Sequence, residues 1–139
     1  MPPPWSRRGG INDDEGMAVL TPTVGVLIVD DQEPFRSAAR LVIEMTDGFE
    51  VVAEALDGET AVDLVSKLSP QLVLMDIKMP GIGGIEATRR IVHDHPGVRV
   101  VVLSTYGEYE QQALDAGAVA FVSKASFDSA AVLTSWSET

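Results

Sequence analysis

Residues 71–104 read QLVLMDIKMPGIGGIEATRRIVHDHPGVRVVVLS, and the fold follows from their rhythm. Gln71 to Met75 is a short, mostly apolar run that closes on Asp76. The segment KMPGIGG (78–84) is rich in turn-forming residues. Ile85, Thr88, Ile91 and Val92 then recur at helical spacing until His95-Pro96-Gly97 ends the helix. Val98 to Leu103 forms a second apolar run, with Ser104 at its end. A strand that is apolar on both sides must be covered on both faces, and two such strands joined by a helix run parallel.

The same unit repeats outward. Upstream, Val24 to Val29 (VGVLIV) ends in Asp30-Asp31. Pro34 suits the first turn of a helix whose apolar face carries Phe35, Ala38, Ala39, Val42 and Met45. Phe49 to Ala53 is another strand, and Gly58 precedes a helix with Ala61, Leu64, Val65 and Leu68 on one side. Downstream, a helix over Tyr109 to Ala116 stops at Gly117, a natural left-handed cap. Ala118 to Val122 is the last strand, followed by Ser123-Lys124 and a final helix from Phe127 to Trp136. Five strands alternating with five helices predict an α/β fold, a doubly wound five-stranded parallel sheet between helix layers.

The chain has 139 residues, enough for one domain with a modest tail. We place that domain at residues 23–139 and read residues 1–22 as a flexible leader without a periodic face to bury. Trp5 is its one conspicuous apolar group, and Met17 offers an alternative start to Met1. Hydrophobic residues make up 45% and aromatics only 6%, so the core must be built from Val, Leu, Ile and Ala. A formal charge of −11 opposes direct binding to nucleic acid. Zero cysteines exclude disulfides and thiolate chemistry. With neither a signal peptide nor a membrane span in the pattern, a cytoplasmic location is expected.

Parallel strands share a direction, so the residues just past their carboxyl ends gather on one edge, where open α/β sheets bind ligands. That edge receives Asp30, Asp31, Asp76, Ser104 and Lys124. Three carboxylates brought together repel unless something positive joins them, either Lys124 or a hard divalent cation. Oxygen donors with no His or Cys nearby suit Mg2+, with Mn2+ as the alternative. Each residue alone has a plainer explanation: Asp caps turns and helices, and a single Lys is usually solvated. The combination in this order is far more specific than any member. His93 and His95 are explained by the negative end of their helix without a metal.

These segments resemble the receiver domain of two-component response regulators, a CheY-like family, and are most similar to receivers of the LuxR/NarL branch. The similar stretches are LIVDDQEPFR (27–36), EALDGETAVDL (54–64), LVLMDIKMPGIGGIEATRRI (72–91), VVLSTY (101–106) and ALDAGAVAFVSK (113–124). The resemblance implies that Asp30 and Asp31 bind Mg2+, with Asp31 as a direct ligand and the backbone carbonyl of Lys78 completing the set. It makes Asp76 both ligand and phosphoacceptor. Ser104 and Lys124 become the groups that contact the phosphoryl oxygens, and Phe121 an aromatic that changes rotamer on activation. Lys78 and Tyr106 fall where the family screens the phosphoryl group from water, so they tune its lifetime. The implied function is a signalling switch that catalyses its own phosphorylation and dephosphorylation. It takes phosphate from a sensor histidine kinase, a phosphotransfer protein or a small donor, and passes the signal to a protein effector, with room for a homodimer.

Departures from the family pattern narrow what carries over. Gly83 and Ala125 stand where many receivers have Asp and Pro, and the stretch before the fourth helix looks short. Only three residues follow Trp136, so DNA binding is not carried over. The alternatives are a receiver-like adaptor that accepts no phosphate, or a fragment of a longer DNA-binding regulator. A haloacid-dehalogenase-type phosphatase would need an acid where Lys78 stands. A flavodoxin-like cofactor domain would need a phosphate loop where Asp30-Asp31-Gln32-Glu33 stands.

Overall fold

A computed structural model describes residues 23–137, and the expected leader, with Trp5 and Met17, lies outside the described residues. Strands β1 (Val24–Val29), β2 (Phe49–Ala55), β3 (Leu72–Asp76), β4 (Arg99–Ser104) and β5 (Ala120–Ser123) alternate with five helices. These are α1 (Glu33–Glu44), α2 (Gly58–Leu68), α3 (Gly83–Asp94), α4 (Glu110–Asp115) and α5 (Ser129–Ser137). Short 3-10 turns precede α4 at Gly107–Tyr109 and α5 at Lys124–Ser126. All four strand pairings are parallel, in the order β2-β1-β3-β4-β5. This is the expected flavodoxin/CheY-like arrangement.

Side chains alternate across a strand, and here both sets are apolar. Leu27, Val29, Val73, Met75, Val100 and Val102 face one layer, where they meet Ala61 and Val65 of α2, Ala87 and Ile91 of α3, and Ala113 of α4. Val26, Ile28, Leu72, Leu74, Val101 and Leu103 face the other, against Ala39 and Ile43 of α1 and Val132 of α5. The three central strands are therefore buried on both sides. Burial of this kind is worth about 1.5–3 kcal/mol per large side chain, and it fixes which edge the strand ends reach.

Most boundaries fall within two residues of the periodic reading. Met45 is a correction: it caps α1 and is 70% exposed, while Ile43 is the fully buried residue of that turn. Ala38 is exposed as well, because the buried stripe of α1 runs through Ala39 and Ile43, and at 100° per residue Ala38 and Met45 turn away from it. Gly117 has a φ of +111°, and a Cβ there would press into Val92, so both backbone and packing require glycine.

Candidate functional site

The carboxyl ends of β1, β3 and β5 bring an acidic cluster and a lysine together. Asp76, the last residue of β3, is 8% exposed, and Asp30, just past β1, is 1% exposed. Asp31 is half-buried beside it. One carboxylate oxygen from each of the three lies within 4.8 Å of the others. From beyond β5, Lys124 places Nζ 2.6 Å from Asp30 Oδ2 and 3.2 Å from Asp76 Oδ1. Three carboxylates against one ammonium leave a formal charge of −2, which a divalent cation would cancel. The donor set is all oxygen, as hard cations prefer.

Asp30 and Asp31 differ in how far they are committed. Every polar atom of Asp30 has a partner. Its N–H donates to the Ala55 carbonyl at 3.0 Å, and its carbonyl accepts from Arg36 at 2.8 Å. Its carboxylate accepts from the Gln32 N–H at 2.8 Å and from Lys124. Arg36 is itself held by Glu54 of β2 at 3.2 Å, and Glu54 also binds Arg40 at 2.6 Å. Asp31 makes no hydrogen bond among the described residues, which leaves its carboxylate open to a ligand. Asp30 is thus a braced member of the cluster and Asp31 a free one.

The charges press on one another. Burial first, and then the negative charge of Asp30, push the Asp76 carboxyl above its ordinary value, against the opposing pull of Lys124. For Lys124, burial works to lower the ammonium's affinity for its proton. The hydrogen bond to Asp30 and the charge of Asp76 outweigh it, and the net shift is upward.

The loop after β3 closes tightly over the site. Gly84 donates its N–H to the Ile77 carbonyl at 2.9 Å. A Cβ on Gly84 would collide with the carbonyl oxygen of Asp76. The Gly-Gly start of α3 therefore lets the helix backbone rest on the end of the acidic strand.

The remaining expected residues surround this cluster. Ser104 ends β4 at 2% exposure, and its Oγ accepts the Tyr106 N–H at 2.9 Å. Its own proton stays available to another acceptor. Phe121 is half-buried on β5, packed on the core layer of α2, α3 and α4. With Ala130, Ala131 and Thr134 it lines a depression of about 330 Å³ between β5 and α5. Lys78 holds Nζ 4.6 Å from the Tyr106 ring centre and 5.4 Å from that of Tyr109. Asp31, Asp76, Lys78, Thr105, Tyr106 and Lys124 line an open cleft of about 260 Å³. His93 and His95 play no part: they meet Asp94 and Ser66, and the only grouping of potential metal ligands among the described residues is Asp30, Asp31 and Asp76.

Sequence reading missed three contributors. Phe35 counted only as an apolar helix position, yet Lys124 Nζ lies 4.5 Å from its ring centre. Arg36 entered only within a similar stretch and Tyr109 only as the start of a helix, neither with a sign of its partner. Their contacts join α1 to the β1 exit and the fourth-helix entrance to Lys78, pairings that no local pattern announces.

Comparison with known proteins agrees with this geometry. The family model described as "Response regulator receiver domain" matches residues 26–135. The transcriptional regulatory protein DegU of Brevibacillus brevis is 41% identical over 73% of this chain and 44% of its own length. The receiver domain of NarL from Mycobacterium tuberculosis superposes with a TM-score of 0.75 at 30% identity, covering 81% of this chain and 94% of that one. The CheY of a CheX-CheY-BeF3-Mg2+ complex from Borrelia burgdorferi gives 0.69 at 32% identity, covering 91% and 92%. The chain spans about half the length of the curated relatives it matches. No helix among the described residues is long and apolar enough to cross a membrane. With its five-stranded parallel sheet and an Asp30/Asp31/Asp76 cluster typical of phosphoaccepting CheY-like regulators, the chain belongs to the response regulator receiver domain family, closely related to receivers of the LuxR/NarL branch.

Proposed function

We propose that this chain is a phosphorylation-operated switch of a two-component system that receives a phosphoryl group on Asp76. The donor is a phosphohistidine on a sensor kinase or phosphotransfer protein, or a small acyl phosphate such as acetyl phosphate. One observation carries the reading: the Asp76 carboxylate ends β3 within reach of two further carboxylates and 3.2 Å from the Lys124 ammonium. Asp30, Asp31, Asp76 and the backbone carbonyl of Lys78 would hold Mg2+, for which Mn2+ could substitute. Bound there, the cation would supply positive charge to the oxygens of an incoming phosphoryl group, so that one anion could approach another.

The chain's own groups do the rest. An Asp76 carboxylate oxygen forms the new bond to phosphorus as the donor's bond to phosphorus breaks, and the electron pair of the broken bond leaves with the donor. Lys124 orients Asp76 and offers positive charge to the arriving oxygens. Ser104 donates its free proton to one of them. Drawing Ser104 toward the phosphoryl group frees space on its side of the sheet, the side that Phe121 shares. Phe121 then turns inward and reshapes the surface formed by α4, β5 and α5. Lys78 and Tyr106, paired across the cleft mouth, shield the acyl phosphate from water. An excess of 21 acidic over 10 basic residues opposes contact with a nucleic-acid backbone and supports an output through protein partners.

The test is intact-mass spectrometry after incubation with acetyl phosphate and Mg2+. We expect one phosphoryl adduct on the wild type, none on Asp76→Asn, and faster decay in Lys78→Ala and Tyr106→Ala. An unmodified wild type would sink the reading.

A further inference from the structure

The geometry points to Phe35 as a positioning residue for Lys124: its ring, presented from the first turn of α1, holds the ammonium in place between Asp30 and Asp76. The inference rests on the phosphoacceptor reading for its catalytic consequence, but not for the contact itself.

An ammonium has three N–H donors and no acceptor. Two directions from Lys124 Nζ lead to carboxylates, at 2.6 Å to Asp30 and 3.2 Å to Asp76. The Phe35 ring centre lies 4.5 Å away. Aromatic faces attract cations within about 6 Å, most strongly where water is displaced. Here the lysine side chain is only 16% exposed. Phe35 is held in turn by Phe127, whose ring centre is 6.3 Å away at 47°. Both rings pack on the α1/α5 core layer.

Strand alternation explains why the ring finds the lysine. Asp76 shares its side of β3 with Leu72 and Leu74, which face the α1/α5 layer. Ala120 and Val122 of β5 face the same layer, and Lys124, which opens the 3-10 turn after β5, reaches the Phe35 ring there. The first turn of α1 follows directly from the Asp30-Asp31 loop. The first turn of α1 therefore covers the side of the cluster from which Lys124 arrives. Without the ring, the flexible four-carbon stem of lysine has only its two carboxylates for guidance, and one of them is the nucleophile. When Asp76 reacts, that partner changes its charge and shape, whereas the ring stays fixed.

Phe35→Leu keeps apolar bulk and removes the ring, and Phe35→Tyr keeps the ring. We expect acetyl-phosphate labelling to slow roughly 5-fold in Phe35→Leu, the change that loss of about 1 kcal/mol of cation–π attraction gives, and to change less than about 2-fold in Phe35→Tyr. In a Lys124→Met background, Phe35→Leu should have no further effect. Equal slowing on both backgrounds, or a Tyr variant as slow as Leu, would overturn the inference. A second measurement needs neither phosphoryl transfer nor a variant that folds. In the NMR spectrum of the wild type, the Lys124 ε-methylene protons should be moved upfield by the Phe35 ring current, and ordinary lysine shifts there would overturn the contact. Failure of the wild type to label at all would defeat the phosphoacceptor reading and the catalytic consequence together, and the ring-current shift would still decide the contact.

Discussion

Asp76 sits where its charge is electrostatically costly. Burial and the nearby Asp30 raise its carboxyl above the ordinary 3.8. A carboxyl bound to its proton more tightly in the folded than in the unfolded state contributes stability that is complete below 3.8. That contribution is lost as pH rises through the raised folded value. Asp76→Asn removes the titration. In metal-free buffer the variant should therefore melt above the wild type by about 2–5 °C near neutral pH, an increment of roughly 1 kcal/mol or less. The gap should close as pH falls below the ordinary value. Calorimetric melting curves across that range check it, and a gap independent of pH would contradict the assignment.

At the scale of elements, the site depends on how closely α3 rests on the end of β3. Its contact is backbone to backbone: Gly84 stands where any Cβ would strike the Asp76 carbonyl oxygen. Gly84→Ala must push the helix start away or displace the acidic strand end, an overpacking that costs about 1–3 kcal/mol. We expect a melting temperature lower by roughly 5–12 °C. Weaker Mg2+ binding should accompany it, because the Asp76 carboxylate moves with its carbonyl. A normal melting curve with normal Mg2+ affinity would show that the loop absorbs the methyl group elsewhere. On the opposite flank, Arg36 and Glu54 lock the β1 exit to β2, so Asp30 is braced from its backbone as well as its side chain.

For the whole molecule, the cluster is a point of stored repulsion that the proposed cation would relieve. A cation bound only by the folded state stabilises it by mass action, about 2.7 kcal/mol at a hundredfold excess over the dissociation constant. Addition of Mg2+ at that level should raise the melting temperature by roughly 10 °C, and Asp31→Asn should lose most of the increase. Scanning calorimetry with and without Mg2+, and with the chelator restored, reads this directly. An unchanged wild-type transition would mean that Lys124 alone satisfies the acidic cluster.

The alternation of apolar runs and helical faces was enough to specify a parallel sheet, since strands such as VGVLIV and LVLMD can be buried only between two layers. The same alternation placed Asp30, Asp31, Asp76, Ser104 and Lys124 on one edge, because the direction of parallel strands is a consequence of their connections. Each of these is a short-range signal: the residue stands at the end of its own strand. Ala38 and Met45 were misread because apolar positions at helical spacing do not fix which side of the helix meets the sheet, and the buried stripe runs through Ala39 and Ile43. Phe35, Arg36, Tyr109 and the need for glycine at 84 depended on three-dimensional approach. Their partners, Lys124, the Asp30 carbonyl, Lys78 and the Asp76 carbonyl, lie on other elements. Only the packed layers bring a ring within 4.5 Å of an ammonium or a helix backbone onto a strand end. Strand ends can be ordered from a linear pattern, but the distances between side chains that meet over them are set by how the layers close.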